Sequence, residues 1–78
     1  MKRTIIRVQW VEHDAGWYVK HPQVTTPVWF HVKREAVAYA IALGRAEGES
    51  GGRSQVVSHR KDGVIQWERT YPRSSDPR

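Results

Sequence analysis

Thr4-Ile5-Ile6-Arg7-Val8-Gln9-Trp10-Val11-Glu12, then His13-Asp14-Ala15-Gly16, then Trp17-Tyr18-Val19-Lys20, is the stretch that decides the fold. Ile6, Val8 and Trp10 alternate with Ile5, Arg7, Gln9 and Val11. Period-two alternation among β-branched and aromatic residues is the pattern of a strand with two unlike faces. The next four residues carry turn chemistry, with Gly16 free to take a positive φ. Trp17 and Val19 then resume the alternation, so residues 4–20 predict a β-hairpin.

Downstream, Pro22 and Pro27 interrupt regular pairing, and residues 22–28 read as a connection. From Lys33 to about Glu47 the period changes. Ala36, Val37, Ala40, Ile41, Leu43 and Gly44 recur every three or four residues and predict one apolar helical stripe. Trp29 and Phe30 stand just upstream, placed for a staple contact with the first turn. Gly48, Gly51 and Gly52 end the helix. Arg53–Arg60 and Val64–Thr70 then read as two strands around the Lys61-Asp62-Gly63 turn.

The expected class is therefore α+β, in the order ββαββ. Two β-hairpins would form a mainly antiparallel four-stranded sheet packed on one helix. The single domain would span 4–70, with 1–3 as a flexible N-terminus and 71–78 as a disordered C-terminal tail. Ile6, Val8, Trp10, Trp17, Val19, Val56, Ile65 and Trp67 would receive the helix. Arg7, Gln9, Tyr18, Lys20, Val57, His59 and Gln66 would line the opposite, basic face. In an all-antiparallel sheet the crossover helix would leave the two hairpin turns at opposite ends.

Three segments carry a family resemblance. Residues 13–20 have the form H-x-x-G-W-x-V-K, residues 33–40 the form K-x-E-A-x-x-x-A, and residues 59–66 the form H-x-K-D-G-x-I-Q. In this order and spacing, over roughly residues 7–68, they resemble the small bacterial domain-of-unknown-function family DUF2188. The resemblance implies the ββαββ arrangement and supplies no activity. Val32, where a capping Thr or Ser is expected, and the glycine-rich 46–54 loop depart from it.

With 78 residues the chain holds one core, and it buries only about 60 % of its unfolded surface. It has no cysteine, which removes disulfides and thiolate metal sites. The N-terminal apolar run is broken by Arg7 and Gln9, and no stretch approaches the ~20 apolar residues of a membrane span. A cytoplasmic location is expected. The net charge is +5, with a pI near 10.1, which favours nucleic acid or another polyanion as partner.

The chemistry-bearing residues point the same way. His13, His21, His31 and His59 lack metal-ligand spacing, so no metal or other cofactor is expected. Ser58 and His59 are neighbours in a strand and face opposite ways, which excludes a serine–base pair. No enzyme is expected. His31, Lys33 and Arg34 crowd the positive end of the helix dipole, where first-turn amides could help hold an anion. Together with Arg7, Tyr18, Lys20 and His59 they form the candidate nucleic-acid or anion site. Trp29, between a proline-broken segment and the helix, is the candidate partner-binding residue. Two readings follow: a non-catalytic, non-sequence-specific nucleic-acid-binding module, or a protein-interaction or homo-oligomeric accessory domain.

Overall fold

The structure is a computed structural model that describes residues 3–72. Expectations for residues 1–2 and 73–78, the flexible start and most of the tail, lie outside the described residues.

Five strands and one helix follow in the order β1 (Arg3–Val11), β2 (Gly16–Lys20), β3 (Val28–Phe30), α1 (Lys33–Glu49), β4 (Arg53–His59) and β5 (Ile65–Tyr71). The α+β class holds, with one helix on one sheet. The sheet, however, has five strands in the order β3-β2-β1-β4-β5 and is mixed, not four-stranded and antiparallel. The extra strand is Val28-Trp29-Phe30, pairing antiparallel with β2 from Val19↔Val28 to Trp17↔Phe30. It is short and begins directly after Pro27, as suits an edge.

This strand changes everything after it. Because β3 reverses the chain once more, α1 starts from the other end of the sheet. β4 therefore emerges parallel to β1, in register from Arg3↔Arg53 to Val8↔Ser58. The β1–β2 and β4–β5 turns consequently lie at the same end, not at opposite ends. The ammonium of Lys61, from the second turn, sits 4.2 Å from the ring centre of Trp10 in the first hairpin.

The core lies between α1 and one sheet face. Ile6, Val8, Trp17, Val19, Val56 and Tyr71 meet Ala36 and Ala40, with Trp10, Phe30, Val37, Ile41, Leu43 and Trp67 at the margin. The buried helix positions Ala36, Ala40 and Gly44 recur every four residues and carry little side chain, so α1 sits close to β4. The Ser54 hydroxyl donates to the Gly44 carbonyl at 2.8 Å across that contact. Tyr71, expected in the tail, belongs instead to β5 and is 5 % exposed.

Two other expectations change faces. The register between β4 and β5 slips after Ser58↔Trp67 to His59↔Ile65, leaving Gln66 as the extra residue. Such a bulge breaks the alternation. Ile65, expected in the core, lies opposite His59 and is 47 % exposed. Gln66, expected on the open face, accepts a 2.6 Å hydrogen bond from Lys33. In the first turn, Ala15 takes the positive φ (49°) that was expected of Gly16.

Candidate polyanion-binding sheet face

Register assigns the face away from α1. Residues directly opposite one another across strands share a face. One row therefore runs Lys20, Arg7, Val57, Glu68, and its neighbour begins Trp29, Tyr18, Gln9. On the other side of the first row lie Ile5, Gln55 and Thr70, then Arg3 beside Arg53. Of the expected site residues, Arg7, Tyr18, Lys20, His59 and Trp29 are thus brought onto one surface. Arg3 and Arg53 join them. The place of Arg53 was readable in the sequence, four residues from Val57 on its own strand, whereas Arg3, expected in the flexible N-terminus, belongs instead to β1.

Arg7 and His59 form the centre. The Arg7 guanidinium lies 3.1 Å from His59 Nε2, and His59 Nδ1 lies 3.0 Å from the Gly63 carbonyl oxygen. A guanidinium only donates and a carbonyl only accepts. Both contacts are satisfied together by a neutral imidazole carrying its proton on Nδ1. The β4–β5 turn thus fixes the ring, and the ring fixes the arginine. His59 is 6 % exposed and Val57 3 %, although no helix covers this face. The long side chains of Arg7 and Glu68 flank Val57 in its row.

The charge on this face is unbalanced. Among the described residues the one ion pair is Arg60–Asp62, in the β4–β5 turn. None of Arg3, Arg7, Lys20 and Arg53 has a carboxylate of a described residue within salt-bridge distance. Arg3 donates to the Gln55 side-chain oxygen at 3.1 Å, and the Gln55 amide in turn donates to Glu68. Glu68 is the acid of the central row, and Asp14 accepts from the Tyr18 hydroxyl at 2.6 Å. That hydrogen bond, with the nearby negative charge, raises the phenol pKa above its ordinary value.

The helix start is arranged differently. Val32 provides no side-chain cap. The Lys33 ammonium turns back to Gln66 and lies 4.7 Å from the Trp17 ring centre, on the helix side of the sheet. Partial burial lowers its pKa. Arg34 is exposed, and His31 leans towards Trp29 with ring centres 6.0 Å apart. Lys33 is therefore not brought together with Arg7 and Lys20, whereas His31 borders the open face through Trp29.

Trp10, Trp17 and Trp67 contact the core as expected, the first two edge-to-face at 5.3 Å. Trp29 is 44 % exposed. Among the described residues no three His, Cys, Asp or Glu side chains are grouped to hold a metal ion, and no helix is long and apolar enough to cross a membrane. A cavity of about 290 Å³ opens between the last turns of α1 and the end of β5, lined by Arg45, Gly48, Glu49, Tyr71 and Pro72. It lies on the helix side of the sheet, not on the open face.

The family model described as an uncharacterized protein conserved in bacteria (DUF2188) matches residues 6–71. The chain belongs to that family. No curated protein and no solved structure matches it.

Proposed function

We propose that this DUF2188 member is a non-catalytic binding module whose open sheet face holds a nucleic-acid backbone. One observation carries the reading. Arg7 is held in place by a neutral histidine instead of a carboxylate, so its charge stays uncompensated and its remaining donors stay free. A guanidinium fixed in this way loses little freedom on meeting a phosphate. Lys20 stands directly across from it, and Arg3 and Arg53 extend the charge along the strands. The helix start contributes at most His31 and Arg34.

Contacts of this kind neutralise phosphates without reading bases, so binding would be strong at low salt and indifferent to sequence. Four phosphate contacts on a single strand correspond to a slope of about −3 in log K against log salt. Fluorescence anisotropy with labelled oligonucleotides across a salt series tests this. Arg7→Ala with Lys20→Ala should flatten the slope by about 1.4. Absence of binding at tens of micromolar protein and low salt would refute the reading.

A second reading rests on β5. Among the described residues it is a seven-residue edge strand paired on one side only, with Ile65 at its start and Val64 just before it exposed. Such an edge can add a strand from another chain. Sedimentation over a concentration range separates the two, because a monomer at high concentration excludes self-pairing.

A further inference from the structure

The open face also holds an aromatic seat, and we infer that the nucleic acid it fits is single-stranded, with one unpaired base stacked on Trp29. The inference rests on the sheet-face reading above and adds the strand type and the residue that selects it.

Gly16 is the key to the geometry. The Trp29 indole lies across it, so that a Cβ at residue 16 would overlap the indole at Nε1. Gly16 and Tyr18 point to the same face two residues apart, and Trp29 pairs with Tyr18. The indole therefore reaches diagonally across β2 and rests on bare backbone. Its underside is supported by the sheet, and 44 % of the residue remains open to solvent. The His31 ring flanks it at 6.0 Å, inclined by 42°. The neighbouring Tyr18 ring is tethered by its hydrogen bond to Asp14. An exposed tryptophan on a mobile loop would lose freedom on binding. This one is already fixed.

The surroundings decide what it receives. Lys20 lies two strand repeats along β2 from Gly16, about 14 Å, with Arg7 directly across from it on the same face. A flat aromatic surface with cations farther along the same face complements an unpaired base whose strand runs on over Lys20 and Arg7. An apolar protein segment would leave those cations desolvated without partners. In a duplex the base faces are already stacked on one another, so only unpaired bases can use the indole. Gly16, buried in an otherwise ordinary hairpin, is explained by this seat, because the positive-φ position of the turn is taken by Ala15.

The test compares a labelled single-stranded oligonucleotide of mixed sequence with its duplex, by anisotropy, using wild type, Trp29→Ala, Trp29→Phe and Gly16→Ala. The wild type should prefer the single strand. Trp29→Ala should weaken that complex about 10- to 100-fold while the salt slope stays the same. Trp29→Phe should restore much of the loss. Gly16→Ala keeps the indole but removes its seat, and should weaken single-strand binding without affecting the duplex. Binding should also quench the wild-type tryptophan fluorescence that Trp29→Phe lacks. Equal affinity for single strand and duplex, with Trp29→Ala binding like the wild type, would overturn the stacking seat and leave the sheet-face reading intact. No binding by the wild type to either form would overturn both. Should Trp29→Ala not fold, Trp29→Phe and the quenching measurement still decide.

Discussion

Substituting Gly44 by alanine sets two effects of known size against each other. In a helix interior, alanine is favoured over glycine by about 1 kcal/mol. Here, however, a Cβ at residue 44 would stand 2.9 Å from Val56 Cγ2, 3.1 Å from Tyr71 Cδ2 and 3.3 Å from Ser54 Oγ. Val56 is fully buried and Tyr71 nearly so, and Ser54 is tied to the Gly44 carbonyl itself. None can withdraw without disturbing the core. Forcing an extra carbon into such a site costs about 1–3 kcal/mol. The expected balance is a loss of about 1 kcal/mol, seen as a fall of about 4–8 °C in Tm. Urea unfolding of Gly44→Ala measures it. Ala42→Gly, at an exposed position of the same helix, supplies the propensity term in place and should lose about 1 kcal/mol. If Gly44→Ala gains what Ala42→Gly loses, the close approach of α1 to β4 is wrong and the helix rides higher over the sheet.

Further outcomes follow from single groups. Ser58 is fully buried and its hydroxyl has no partner among the described residues, so Ser58→Ala should stabilise the protein by about 1 kcal/mol in urea unfolding. A loss of that size would mean the hydroxyl is satisfied. Ala15 sits at φ 49°, in the left-handed region, so Ala15→Gly should gain about 0.5–1 kcal/mol by the same measurement. A loss there would contradict the turn conformation. The Arg60 side chain and the Val64 N–H hold the Asp62 carboxylate near pKa 2, below its ordinary 3.8. A lowered value stabilises above the ordinary pKa and is lost as pH falls through the folded one, so the β4–β5 turn should loosen between about pH 4 and 2. The Val64 amide shift should follow that titration in the wild type and stay flat in Asp62→Asn.

Much of the fold is local and was therefore legible. The first hairpin, the helix beginning at Lys33 and the second hairpin each rest on a periodicity confined to neighbouring residues. So does the face carrying Arg7, Tyr18 and Lys20, because alternation alone assigns it. The three-residue β3 left no such period. Val28-Trp29-Phe30 is too short to alternate visibly, and only its pairing with β2 makes it a strand. Missing it reversed the direction expected for β4, and with that the end of the sheet where the second turn lies.

The Ile65–Gln66 exchange has a similar origin, since a bulge depends on the partner strand and not on the sequence that carries it. The same holds for the binding surface. Composition and spacing determined a basic α+β domain with cations on one sheet face. Tertiary structure decided that His59 fixes Arg7, that Lys33 turns away to Trp17 and Gln66, and that Trp29 settles on Gly16. Each of these joins residues from different strands or turns. Side-chain orientation at such a distance along the chain is set by the register between strands, which no local pattern encodes.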